Sequence, residues 1–163
     1  MAFKFKWKKS VFSNKVSLYS GDKPVGKLVD KMFREAHAEL NANSYIFYSY
    51  PYSRNYDIVD EKTGDIVGKI DTYASKDSIL IIDLKNKKEY RYTGSTGFQN
   101  RWKITSEEDE MALSTGTYTE GEILSEFDND MLISTGVFLN HSYWQYDLFI
   151  ASIYALLLFA CFT

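Results

Sequence analysis

The chain has 163 residues, enough for one domain with a large core, and its 25% charged and 45% hydrophobic residues are ordinary for a globular protein. Its single cysteine, Cys161, excludes an internal disulfide framework and a cysteine-rich metal site. The net charge of −3 conceals a polarity, because residues 1–34 hold nine Lys/Arg and two Asp whereas residues 104–163 hold ten Asp/Glu and no Lys or Arg. An anionic partner for the basic end is one interpretation. We favour another, in which the two ends of the chain are neighbours in the fold and their charges face each other.

Strand signals follow one another along most of the chain. Aromatic residues make up 17% of it, with 13 Tyr, 11 Phe and 3 Trp, and such residues favour strands. Short alternating or apolar runs are separated by Gly, Asp, Asn and Lys turns, which is the spacing typical of sandwiches and barrels. The predicted strands are 3–8, 15–19, 25–34, 37–40, 45–52, 55–60, 65–73, 78–84, 89–93, 101–105, 111–115, 117–124 and 131–137.

The first strand carries the best candidate binding patch. Lysines alternate there with Phe3, Phe5 and Trp7, so that one face of the strand is basic. The candidate lipid-binding residues are Lys4, Lys6, Lys8 and Lys9. Anionic lipid attracts such residues, but lysines on an ordinary edge strand also prevent edge-to-edge pairing, and we favour that second interpretation.

Two segments of the chain repeat a short pattern. Residues 21–28 and 63–70 each contain a turn followed by Val-Gly-Lys and an aliphatic residue. A glycine inside a strand usually marks a bulge or a bend, so Gly26 and Gly68 predict two such irregularities. The two copies are interpreted either as repeated barrel units or as a chance similarity of hairpins.

The last sixteen residues, LFIASIYALLLFACFT, contain no charge. As a helix they would measure about 24 Å, short of a hydrocarbon core of about 30 Å. No Lys or Arg flanks the segment, and a helix that is apolar on every face lies either in a membrane or in a protein core. A barrel of a dozen strands has a lumen wide enough to need filling. We therefore predict a buried central helix over about 143–162 and no transmembrane segment, with a tail-anchored membrane protein as the alternative.

The predicted fold class is mainly β: a closed antiparallel β-barrel of about twelve strands that encloses a hydrophobic C-terminal α-helix, as a single domain over 1–163 with strands at about 3–138. Two segments resemble the tubby C-terminal-like superfamily of tubby, LURP-one-related and phospholipid scramblase proteins. They are the Asp- and Gly-containing hairpin of residues 56–70 and the Asp-led segment from Tyr146 to Ala151. The resemblance implies a twelve-stranded barrel threaded by a C-terminal hydrophobic helix. No segment matches the phosphoinositide-binding motif of tubby domains or the acidic calcium-binding segment of scramblases, so the resemblance leaves the ligand open.

Catalytic chemistry finds little support in the sequence. His37 and His141 do not share a metal-ligand spacing, and the acidic run 107–110 lacks the pattern of a calcium loop. We predict a non-enzymatic binding module without cofactor or metal, whose first candidate ligand is an anionic phospholipid headgroup at a membrane surface. A protein-interaction barrel without lipid and a tail-anchored protein with a cytosolic β-domain are the alternatives, and a hydrolase is a third class. We expect no nucleic-acid partner. Because no signal peptide is visible, the expected location is cytoplasmic, with peripheral membrane contact as an option.

Overall fold

Twelve antiparallel strands form a closed barrel, and one long helix follows them. The structure is a computed structural model that describes residues 2–31, 35–53, 55–72, 78–95 and 100–162. Each strand pairs with its neighbours in sequence, and β1 closes the barrel on β12. The elements are β1 (Phe3–Lys8), β2 (Lys15–Ser20), β3 (Lys23–Asp30), β4 (Ala36–Leu40), β5 (Asn43–Ser49), β6 (Tyr56–Asp60), β7 (Ile66–Asp71), β8 (Ile79–Asp83), β9 (Lys88–Ser95), β10 (Asn100–Ser106), β11 (Met111–Gly116), β12 (Glu120–Ser125) and α1 (Asp130–Phe162).

The predicted fold class is confirmed, and the predicted strands up to residue 124 agree with β1 to β12 in number and order. The main differences lie at the strand ends. The end of the predicted strand 25–34 and that of 65–73 both fall partly on residues outside the described ones. The period-2 pattern of the sequence places alternate side chains in the lumen and on the outer wall.

The closure of the barrel explains the charge polarity of the sequence. β1 lies between β2 and β12, so it is not an edge strand, and our interpretation of its lysines as edge protection is wrong. Lys6 is directly opposite Glu122 and Lys8 is opposite Glu120. The ammonium group of Lys4 lies 3.1 Å from the carboxylate of Glu122. The basic beginning and the acidic end of the chain therefore face each other on the outer wall.

The two repeated segments form equivalent hairpins. Register shifts occur where β2 pairs with β3 and where β6 pairs with β7, each just before the strand glycine. A Cβ on Gly26 would clash with the backbone carbonyl oxygen of Glu39, so no other residue fits there without backbone movement. The bulges predicted from Gly26 and Gly68 are confirmed.

The helix begins thirteen residues before the predicted start, at Asp130 rather than at 143, and the predicted strand 131–137 is its first part. Asn129 acts as its N-cap, because the side-chain oxygen accepts a hydrogen bond of 3.2 Å from the backbone N–H of Leu132. The carboxylate of Asp130 accepts hydrogen bonds from the side-chain amides of Asn41 and Asn43 at 2.9 and 2.8 Å. These contacts attach the start of the helix to the β4–β5 turn.

Residues 131–141 of the helix, which we call the plug, are all buried inside the barrel. Phe138 stacks on Phe47 of β5 with 4.3 Å between ring centroids. Gly136 lies against Trp102 of β10, where a Cβ would come within 2.5 Å of the indole ring. The plug thus fills the lumen with close contacts to opposite sides of the wall.

The prediction that residues 143–162 form the buried helix is wrong, since none of these residues is buried. A six-residue strand is about 20 Å long, and at the usual tilt of about 40° it gives a barrel wall about 15 Å high. The eleven buried residues of the plug measure about 16 Å along the helix axis. The lumen is therefore full at His141, and the helix has to continue outside it.

Candidate functional site

The two ends of the barrel differ in sequence and in what they contact. The helix enters at one end, where Asn129 and Asp130 are bonded to the β8–β9 and β4–β5 turns. It leaves at the other end, where the hydroxyl of Ser142 lies 3.3 Å from the carboxylate of Asp30, the last residue of β3. Among the connections at this second end are those that join β1 to β2, β3 to β4, β5 to β6 and β11 to β12. We call their described residues 9–14, 31, 35, 50–53, 55 and 117–119 the exit rim.

Polar and aromatic residues surround the helix where it leaves the barrel. Trp144 packs against Tyr118 of the exit rim with 4.5 Å between ring centroids and a tilt of 43°, and the Lys9 ammonium lies 5.0 Å from the Trp144 ring centroid. Burial lowers the pKa of Lys9 to about 8. Burial, with a smaller contribution from Lys9, lowers the pKa of His141 to about 4, so this imidazole is neutral at pH 7.

Several buried polar atoms near this end have no hydrogen-bond partner within the described protein. They include both ring nitrogens of His141, the side-chain oxygens of Asn140 and Asn100, and the indole nitrogen of Trp144. Buried polar groups are normally paired with protein or with ordered water. Most of these atoms belong to residues 140–147 (NHSYWQYD), which we call the neck of the helix. The neck is a polar and aromatic segment between two apolar ones.

Beyond residue 150 the described part of the helix is exposed to solvent. Residues 151–162 are all exposed, including large apolar side chains such as Leu156 at 69% and Leu158 at 60%. From Leu148 to Phe162 the helix contains no charged residue. We call residues 143–162 the anchor segment.

The helix is long and apolar enough to cross a membrane. None of the residues in its apolar 18-residue stretch is buried. A core helix of a soluble protein passes the same test of length and composition, but such a helix is mostly buried. Here the buried part is the plug, and the apolar part outside the barrel has no protein cover. That arrangement distinguishes this helix from a core helix.

Three of the four candidate lipid-binding lysines share the outer face of β1, as the alternation predicted, and the fourth lies apart from them. Lys4, Lys6 and Lys8 lie exposed on the outer wall, facing the glutamates of β12, whereas Lys9 is buried at the exit rim beside Trp144. Lys4 and Lys23 also line a cavity of about 310 Å³. This cavity lies towards the end of the barrel where the helix enters. The outer-wall lysines form no isolated basic patch.

The remaining residues considered from the sequence lie in separate places. His37 is on β4, with a ring nitrogen 3.2 Å from Glu35, and His141 is in the barrel. The acidic run 107–110 forms the β10–β11 turn, where Glu108 pairs with Lys88 at 3.2 Å. Cys161 is exposed on the anchor segment.

The exit rim and the neck were missed by our sequence reasoning. Their signal is the presence of large aromatic residues in connections rather than in strands: Phe12 is 93% exposed, and Tyr50 and Tyr52 are also exposed. The second signal is Tyr143, Trp144 and Tyr146 directly before the apolar segment.

Comparison with protein-family models, with curated proteins and with solved structures found no match to this chain.

Proposed function

We propose that this chain is a membrane-anchored β-barrel protein, in which the anchor segment inserts in a lipid bilayer and holds the barrel at the membrane surface. The observation that carries the proposal is that the apolar part of a continuous helix stands outside the barrel without protein cover. Lipid is the solvent in which such a surface is stable.

The length of the anchor segment supports this proposal. Its uncharged part from Leu148 to Phe162 measures about 22 Å at 1.5 Å per residue, most of the roughly 30 Å of a typical hydrocarbon core, and a bilayer accommodates a somewhat short helix by local thinning. Tyr143, Trp144 and Tyr146 occupy the first turn of the anchor segment, and aromatic residues of this kind collect at membrane–water interfaces. Asp147 lies one turn into the segment, still close to the interface.

The distribution of apolar residues favours lipid over a protein partner. A helix that docks on a partner needs one apolar stripe, with polar residues on its other side. Here exposed apolar side chains follow one another as Leu156, Leu157, Leu158 and Phe159, which covers a full turn of helix. Every face of the segment therefore needs an apolar environment, which a bilayer provides.

The test is insertion into vesicles by a variant with one charge in the uncharged part of the anchor segment. Leu157→Arg places a guanidinium near the bilayer centre, at a cost of about 2.5–3.5 kcal/mol, so the affinity for the membrane should fall about 60- to 300-fold. Leu124→Arg is the matched control, because Leu124 is a similarly exposed apolar residue on the outer wall of β12. Flotation with vesicles after detergent removal, followed by alkaline extraction, measures insertion.

We expect the unchanged chain and Leu124→Arg to float with the vesicles and to resist extraction, and Leu157→Arg to stay in the aqueous fraction. An unchanged chain that remains soluble and monomeric without lipid or detergent would refute the proposal. A chain that is soluble as a defined oligomer would instead favour the protein-interaction alternative.

We also propose that the chain acts by binding rather than by catalysis, and that it belongs to the tubby-like superfamily. Headgroup binding by the outer-wall lysines is the weaker version of a lipid role, because Lys6 and Lys8 face Glu122 and Glu120 across the β1–β12 pair. Exposed lysines with carboxylates on the neighbouring strand attract an anionic surface less than an isolated basic cluster does.

A further inference from the structure

We propose that the exit rim is a membrane-docking surface, whose loops lie in the headgroup layer of the same bilayer that holds the anchor segment. The inference rests on the proposed function and adds the orientation of the barrel and the residues that touch lipid. It commits to lipid as the occupant, because the rim is continuous with the inserted helix.

The distance along the helix carries the first step. The ends of the strands are level with Ser142, which is bonded to Asp30 at the end of β3. Leu148, the first residue of the uncharged stretch, lies six residues further, or about 9 Å along the axis. The polar layer on each side of a bilayer is about 5–8 Å thick. With Leu148 at the hydrocarbon boundary, the strand ends lie at the outer edge of the headgroup layer, and loops that project further enter it.

The second step is the composition of those loops. Phe12 of the β1–β2 connection is 93% exposed, and Val11 beside it is exposed as well. In the β5–β6 connection Tyr50 is exposed and Tyr52 fully so. Clusters of exposed apolar side chains on one surface mark interaction sites, and tyrosine is suited to the membrane interface.

The distribution of charge agrees with this orientation. The charged residues in the described connections of the exit rim are the exposed Lys31, the half-buried Glu35 and the buried Lys9, whereas the β10–β11 turn at the opposite end has four consecutive carboxylates. An anionic membrane surface attracts basic residues and repels acidic ones. The barrel therefore presents its less acidic end to the bilayer.

The experiment places single environment-sensitive fluorophores on cysteines in a Cys161→Ser background and reconstitutes the full chain in vesicles of zwitterionic and anionic lipid. Labels at Phe12→Cys and Tyr52→Cys report on the exit rim. Leu84→Cys is the matched control, because Leu84 is an exposed apolar residue at the opposite end of the barrel. Leu157→Cys reports on the anchor segment. Lipids with a nitroxide at the headgroup or deep in the acyl chain measure the depth of each label.

We expect emission at positions 12 and 52 to shift to shorter wavelength with quenching by the headgroup nitroxide, position 84 to remain aqueous and position 157 to be quenched by the deep nitroxide. If position 157 is deep while 12 and 52 behave like 84, the barrel stands away from the bilayer and this inference is overturned although the proposed function holds. If position 157 is aqueous too, both fail. Because a label can itself favour lipid, hydrogen exchange of residues 10–14 in the unlabelled chain should also be slower in vesicles than in the chain ending at Gln145, and equal rates would contradict docking.

Discussion

Shortening the chain at two points should separate the plug from the anchor segment. A chain that ends at Gln145 keeps the plug and the contacts of Trp144 with Tyr118 and Lys9, and it loses no buried residue. Its free energy of unfolding should therefore lie within about 1 kcal/mol of the barrel in the full chain, as for other changes confined to exposed residues. A chain that ends at Asn129 keeps all twelve strands and loses the whole helix.

The magnitude for the second truncation follows from the apolar side chains of the plug. Six of them are buried: Met131, Leu132, Ile133, Val137, Phe138 and Leu139. At about 1.5–3 kcal/mol for each buried side chain, their loss removes about 9–18 kcal/mol. That range is comparable to the whole stability of a typical domain, about 5–15 kcal/mol. The barrel strands alone should therefore fail to fold.

Expression of both truncations without detergent, gel filtration and near-ultraviolet circular dichroism measure the outcome. The chain ending at Gln145 should be a soluble folded monomer with cooperative urea unfolding, and the chain ending at Asn129 should aggregate. Aggregation of the chain ending at Gln145 would refute the separation, because it would mean that residues 146–162 stabilise the barrel directly. A folded chain ending at Asn129 would refute the role of the plug as core.

Two further substitutions test the interior of the barrel, each made in the chain ending at Gln145. Gly136→Val should lower the free energy of unfolding by about 1–3 kcal/mol, because its Cβ would meet the Trp102 ring at 2.5 Å, and unchanged urea unfolding would show that the contact is loose. The pKa of His141 is about 4 in the folded chain and about 6.5 when unfolded, so the unfolded state binds more protons between these values and stability should fall by about 3 kcal/mol as pH drops from 6.5 to 4. His141→Gln should remove this part of the pH dependence, and an identical slope in the variant would contradict the assignment.

The strand pattern could be predicted from the sequence because each strand has one face in the lumen and one in solvent. β1 illustrates this, since Phe5 and Trp7 are buried while Lys4, Lys6 and Lys8 are exposed. Turn residues placed the hairpins for a related reason: Gly21 and Gly64 adopt positive φ angles of 60° and 77°, which few other residues tolerate. Strands and turns could be predicted from short sequence patterns because the local backbone geometry determines the residue type at these positions.

The helix start could not be predicted in the same way. MLISTGV combines β-branched and apolar residues, and a short apolar run of this kind fits a buried strand as well as a buried helix. The distinguishing signal was Asn129 before it, an N-cap residue with Asp130 in the first turn. The height of the barrel determines which apolar segment fills the lumen. This height is a property of the whole sheet, so a local sequence pattern does not show it.

The order of apolar and polar segments along the helix is the strongest link between the fold and the proposed membrane location. An apolar plug, a polar and aromatic neck, and an apolar anchor segment follow each other in one unbroken helix. A helix designed only to fill the barrel would need polar residues beyond His141, because water surrounds it there. A helix designed only to cross a membrane would not need Asn140, His141 and Ser142 within it, since polar groups in hydrocarbon are costly. Under the proposed anchoring, the neck lies where the helix passes from the barrel to the bilayer, so that Asn140 and His141 end the protein interior and the aromatic residues that follow lie at the membrane interface.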